Sequence, residues 1–152
     1  MKKVVKFKKL NPDAILPDYA HVGDAGMDLY SVEDLVIEPL TWKLVKTGLA
    51  CELPQGTEGQ VRSKSGIALK NGVFVLNTPG TVDENYRGEI GVILYNLNTK
   101  ESFVIKKGQK IAQYVIANVE YVDTVEVEVL DETDRGEGGF GSTGLGKNKK
   151  CD

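Results

Sequence analysis

The chain is a succession of short β-prone runs, and turn signals separate them. Val4 to Lys8 alternates apolar and charged residues, the pattern of a half-buried strand near a sheet edge. Leu35–Ile37, Leu40–Leu53 (after a break at Pro39), Gly59–Arg62, Val73–Leu76, Ile90–Tyr95, Phe103–Ile105, Lys110–Glu120 and Thr124–Leu130 follow, and Gly108 marks one of the turns. Only Ser63 to Gly72 reads as a helix. Ser65 is placed to cap its start, and Gly72 sits where a left-handed C-terminal residue belongs. Many short strands with one short helix predict an all-β barrel or sandwich.

A chain of 152 residues is one domain of ordinary size. With 41% hydrophobic and 27% charged residues it is globular rather than disordered. A net charge of −3 argues against a general nucleic-acid binder, so an anionic ligand must be held by a few local cations. No apolar run approaches the ~18 to 20 residues that span a bilayer, and the basic start lacks a signal-peptide apolar block. Cys51 and Cys151 are too few for a disulfide framework or a zinc site, and a reduced cytoplasmic protein is the simplest account. The lone His21 reads as a surface residue.

Four stretches carry candidate chemistry. Asn77 to Gly91 reads as a hairpin connector that holds an acid, Asp83, an aromatic, Tyr86, and the glycines Gly80 and Gly88. Pro79-Gly80 is its turn signal, Gly80 accepting a positive φ. That mixture suits close approach of backbone to a ligand, an acting carboxylate and a stacking ring, and it also suits an ordinary solvated hairpin. His21 to Ser31 sets Asp24 and Asp28 beside glycines. Lys64 stands before the helix, whose start presents unpaired N–H groups; this suits phosphate, or merely a capped surface turn. The composition changes at Asp131, and the glycine-rich remainder cannot build a core. Arg135 and Phe140 in that tail fit a lid with a cation for phosphate and a ring for a base, or a plain linker.

Together these stretches resemble the homotrimeric dUTP diphosphatases (dUTPases). The five motifs of that family occur in order: Ala25–Leu29, Lys64–Ala68, Asn77–Gly88 with Gly80, Asp83, Tyr86 and Arg87 in register, Gly108–Gln113 and Arg135–Gly144. The resemblance covers nearly the whole chain. One departure stands in the second motif, where the family usually has arginine and this chain has Lys64. Lysine keeps the charge and loses the planar fork. Arg62 shares a face with Lys64 if the segment is extended.

The resemblance implies a jelly-roll-like β-barrel over 1–130 and a mobile glycine-rich lid over 131–152. It implies a homotrimer with active sites at subunit interfaces, without nucleic-acid or membrane partners. The implied reaction is hydrolysis of dUTP to dUMP and pyrophosphate by Mg2+-assisted attack of water on the α-phosphorus. This keeps uracil out of DNA and supplies dUMP for thymidylate synthesis. In this picture Asp83 is the general base and Asp28 holds the metal through water. Asn77, Gly80, Thr81, Val82 and Gly91 receive the uracil, and Tyr86 lies against the deoxyribose. Lys64, Ser65, Gly66 and Gln113 contact phosphates, Arg135 reaches the γ-phosphate, and Phe140 with Gly141 covers the base. Two other readings are a dCTP deaminase, which shares the fold, and a nucleotide-sensing protein without turnover.

Overall fold

The structure is a computed structural model that describes residues 3–144 and 146. Met1, Lys2, Leu145 and 147–152, with Cys151 and the end of the expected lid, lie outside the described residues. The chain divides into two units, Met1–Glu120 and Tyr121–Asp152.

The first unit is antiparallel β with one short helix. Its elements are β1 (Lys6–Lys9), β2 (Met27–Tyr30), β3 (Leu35–Ile37), β4 (Trp42–Lys46), β5 (Leu49–Glu52), β6 (Thr57–Arg62), α1 (Ser65–Asn71), β7 (Val73–Val75), β8 (Gly80–Val82), β9 (Gly91–Asn96), β10 (Phe103–Ile105) and β11 (Lys110–Asn118). The ladders form four sheets, ordered β1-β5, β3-β10, β2-β11-β6-β8 and β4-β9-β7. The all-β expectation with one helix holds, although these ladders do not close into one continuous barrel.

Period-2 burial drives the strands inward. Along β9, Val92, Leu94 and Asn96 are buried while their neighbours are half-exposed. Buried Asn96 is fully occupied: its amide donates to the carbonyls of Ile37 and Glu101 and accepts from the Asn98 N–H. Leu29, Ile37, Val45, Val75, Ile105 and Tyr114 complete the centre of the core.

The expected strand Leu40–Leu53 is two strands that belong to different sheets. Gly48 divides them at φ 68°, where an added Cβ would stand 2.9 Å from Asn11 Cβ and 3.0 Å from Ala14 Cβ. A side chain there would meet both sterics and packing, so the chain changes sheets at a glycine.

Ser65 does not cap the helix. Lys64 is the N-cap, with extended φ −88° and ψ 117°, and no side chain bonds the first turn. The Lys64 carbonyl already accepts from Ile67 and Ala68 at 3.1 and 3.0 Å, which makes Ser65 the first helical residue. Gly72 closes the helix in the left-handed region, its N–H donating to the Ala68 carbonyl, as expected.

Asn77 to Gly91 is more than a hairpin connector. β7 and β9 pair with each other, but β8 lies between them in sequence and pairs with β6 in another sheet. Gly80 opens β8 and is not among the positive-φ glycines, so it serves close packing rather than a turn.

Tyr121–Asp152, described by itself, contains no helix or strand among its described residues. Thr124–Leu130 was expected as a strand and is not one. Alternation supplies a face but not the hydrogen-bonded neighbour that completes a ladder, and Val125, Val127, Val129 and Leu130 stand exposed. The glycine-rich part is a run of turns, with Gly136, Gly138, Ser142 and Gly144 N–H groups each donating three residues back.

Candidate active site

A cavity of about 260 Å³ opens between β8, β9 and the 83–90 loop. It is lined by Asn77, Gly80, Thr81, Val82, Tyr86 and Gly91, together with Leu44, Val61, Glu89, Ile90 and Ile93. Its shape rests on missing side chains. A Cβ on Gly80 would stand 3.1 Å from Asn77 Nδ2 and 3.4 Å from Val61 Cβ, and one on Gly91 would stand 2.5 Å from Leu44 Cδ1. A Cβ on Gly88 would run into the Tyr86 hydroxyl.

The loop is held from several sides. The Tyr86 hydroxyl donates to the Glu89 carbonyl at 3.1 Å, and the Tyr86 N–H to the Asp83 carbonyl at 3.1 Å. Arg87 Nη1 donates to the carbonyls of Glu84 and Tyr86. Glu89 Oε1 accepts from the Gly48 N–H, and Thr47 Oγ1 donates to the Ile90 carbonyl at 2.6 Å. Against this fixed frame two polar groups are left over. The amide of Asn77 and the carboxylate of exposed Asp83 have no hydrogen-bond partner among the described residues. Asp83 directly follows the cavity-lining Val82.

A second cluster forms where β2, β11 and the start of α1 meet. Asp28 is buried on β2, its side chain 5% exposed. Its Oδ1 accepts from Lys64 Nζ and its Oδ2 from Lys110 Nζ, each at 2.7 Å. Burial pushes the Asp28 carboxyl up, but the hydrogen bonds from Lys110 and Lys64 and their charges outweigh it, leaving the group below its ordinary value. Gln113 pairs with Asp28 on one side and with Arg62 on the other. The Arg62 guanidinium is engaged by Gln60, its Nε donating to Gln60 Oε1 at 2.9 Å.

A bulge in β11 creates this cluster. Ala112, Gln113 and Tyr114 pair regularly with Leu29, Asp28 and Met27, but Lys110 rather than Ile111 pairs with Tyr30. The extra residue puts Lys110 on the face of Asp28 and Tyr30, where Nζ lies 6.0 Å from the Tyr30 ring centroid. Without it, Lys110 would follow Ala112 onto the core face.

The structure therefore gathers the expected residues into two groups. Asn77, Gly80, Thr81, Val82, Tyr86 and Gly91 share the cavity, with Asp83 beside it. Asp28, Lys64 and Gln113 meet at the second cluster, with Ser65 and Gly66 following Lys64 in α1. No residue of the second group lines the cavity. Arg135, Phe140 and Gly141 lie in the second unit, where Arg135 Nε donates to the Gly138 carbonyl at 2.8 Å and Phe140 is exposed at φ 47°. The residues missed by sequence are Leu44, Val61, Glu89, Ile90 and Ile93 in the cavity and Lys110 on Asp28. Leu44 and Val61 looked like ordinary strand residues, and only the pairing partners bring them to the cavity. Lys110 lies inside the fourth motif, and its signal is that it is the one charged residue of β11, at the strand's start.

Among the described residues no three His, Cys, Asp or Glu side chains are grouped to hold a metal ion directly. A magnesium ion that keeps most of its waters and rides on a substrate's phosphates fits these residues better than an all-protein cage. Asp28 suits that role, because a carboxylate offers about four acceptor positions and the lysines use two.

The dUTPase family model matches residues 12–144. The chain is 58% identical over 137 residues to the deoxyuridine 5'-triphosphate nucleotidohydrolase of Clostridium kluyveri, covering 90% of this chain and 95% of that protein. It is equally 58% identical over 141 residues to the enzyme of that name from Gloeothece citriformis, covering 93% and 97%. Among solved structures, the dUTPase of Staphylococcus bacteriophage 80alpha with dUpNHpp superposes with a TM-score of 0.87 at 30% identity, over 95% of this chain and all of that one. A variant dUTPase from phage phi11 of S. aureus, solved to describe coordination of a structural Mg(II) ion, superposes at 0.79 with 25% identity, over 85% and 99%. With a family match over most of its length and relatives above half identity, the chain belongs to the dUTPase family.

Proposed function

We propose that the chain hydrolyses dUTP to dUMP and pyrophosphate, keeping uracil out of DNA and supplying dUMP for thymidylate synthesis in the cytoplasm. The observation that carries this is the cavity walled by Gly80 and Gly91, with the unpartnered Asn77 amide on its lining and the unpartnered Asp83 carboxylate beside it. The backbone of Gly80, Thr81, Val82 and Gly91, with the Asn77 amide, reads the uracil edge. Tyr86, fixed through its hydroxyl to Glu89, lies where a ribose 2′-hydroxyl would go.

Asp83 orients a water and takes its proton as the oxygen bonds to the α-phosphorus. The bond from that phosphorus to the bridging oxygen breaks, and pyrophosphate leaves. General-base help of this kind is worth ~10²–10⁴-fold. Lys64, Ser65, Gly66 and Gln113 hold the phosphates, and Arg135 adds a cation at the γ-phosphate. Asp28 would hold the waters of a bound Mg2+, which would supply charge neutralisation to the triphosphate. Residues 131–152 act as the lid on a 1–130 domain, Phe140 and Gly141 covering the base. Each site is assembled from different protomers of a homotrimer, a reading that fits phosphate-side residues lying outside the cavity lining of their own chain.

The test is turnover of dUTP measured against dCTP and UTP, in the native protein and in Asp83→Asn. Hydrolysis confined to dUTP, with the variant ~10²-fold or more slower, supports the proposal. Deamination of dCTP, or binding of dUTP without turnover, would replace it with the deaminase or sensor reading.

A further inference from the structure

Asp28 is the one acidic residue among the described residues that is buried, and it is paired twice where a single cation would satisfy a surface carboxylate. The two lysines are placed differently. Lys64 sits at the head of α1, beside Ser65 and Gly66, with its side chain 28% exposed. Lys110 is brought to Asp28 by the β11 bulge and is steadied over the Tyr30 ring. Lys64 spends one of its three N–H donors on Asp28, and a phosphate that takes up its compact charge draws it away from the carboxylate. If Lys64 were the sole partner, its departure toward a phosphate would leave a buried carboxylate unpaired, which is strongly unfavourable.

We propose that Lys110 is a positioning residue: it holds the Asp28 carboxylate while Lys64 is transferred from Asp28 to the phosphate oxygens of a nucleoside triphosphate. The proposal rests on the reading that Lys64 meets phosphate. Lys110 itself touches neither base nor phosphate. Its contribution is that the carboxylate remains paired throughout, so that Lys64 is released at little cost. The bulge is the structural device that makes this possible, because a regular ladder would have turned Lys110 to the core.

The experiment measures binding of dUMP and of the imido analogue dUpNHpp to the full-length protein in a chelator, so that no metal enters the readout. Lys64→Met tests the underlying reading: it should weaken the analogue about tenfold and leave dUMP within about twofold. An unchanged analogue affinity in Lys64→Met removes that reading, and this proposal with it. Lys110→Met should reproduce the selective loss of the analogue, because Lys64 is then locked to Asp28, and Lys110→Arg should restore it. The deciding comparison is made in an Asp28→Asn background, which has no charge to strand. There, adding Lys110→Met should change analogue affinity by less than about twofold. An equal loss in both backgrounds would place Lys110 on the phosphates directly, and no loss in either would make it dispensable; both outcomes overturn the proposal. If Lys110→Met is too unstable to titrate, the double variant decides: a folded double variant supports the holding role, and an unfolded one makes Lys110 structural and overturns it.

Discussion

Replacing Gly91 by alanine separates what the cavity wall does for binding from what it does for stability. Gly91 opens β9 opposite Lys46 and is not among the positive-φ glycines, so the backbone accepts alanine. The added Cβ would stand 2.5 Å from Leu44 Cδ1 and 3.4 Å from its Cγ, and the three nearest atoms all belong to the Leu44 side chain. Leu44 is 57% exposed, so its end can swing away. Leaving its preferred rotamer costs ~0.5–1.5 kcal/mol, while alanine in place of glycine returns ~0.4–1 kcal/mol by restricting the unfolded chain. The two nearly cancel, and the net change should stay within about 1 kcal/mol, a few degrees in Tm. Binding is different, because both Gly91 and Leu44 line the cavity and the change narrows it from both sides. A tenfold weaker Kd for dUMP, about 1.4 kcal/mol, is expected. Thermal unfolding and calorimetric titration read the two quantities separately. Adding Leu44→Ala should relieve the clash without restoring affinity, since the new methyl still faces the cavity. Native dUMP affinity in Gly91→Ala would refute the argument, and so would a stability loss above about 3 kcal/mol, which would mean that Leu44 is held in place.

Tyr86→Ala should narrow the preference for dUTP over UTP; equal loss on both nucleotides would make the ring a general packing element. Because the folded-state pKa of Asp28 is depressed, its pairing contributes stability above its unfolded pKa and loses it as pH falls through the folded value. Tm should therefore fall more steeply below about pH 4 in the native protein than in Asp28→Asn, and parallel slopes would contradict the pairing. Ending the chain after Leu130 should leave a folded protein that binds dUMP but turns over dUTP far more slowly; full turnover would sink the lid, and failure to fold would make the tail structural.

Much of the fold and of the site was legible because its signals are local. Gly72 announced a left-handed helix end, and the motif around Asn77, Gly80 and Tyr86 announced a connector that lines a cavity. What stayed hidden depends on partners far along the chain. Ser65 looked like a cap, but capping is decided by backbone conformation, and Lys64 holds the extended one. Thr124–Leu130 has a strand's alternation without a ladder. The pairing of Lys110 with Asp28 spans β2 and β11 and depends on a one-residue bulge that no pattern of apolar residues encodes.

The glycine walls of the cavity also bear on how such a site changes over generations. Every residue that could replace Gly80 or Gly91 is larger, so mutation there can only take room away. Room for a bulkier occupant must be opened elsewhere. Val61 is almost fully buried and is committed to the core, which leaves half-buried Ile93 and exposed Leu44 as the lining positions where trimming adds space cheaply. A cavity wall written in main chain is thus a ratchet: descendants tighten it one substitution at a time, and loosen it through very few doors.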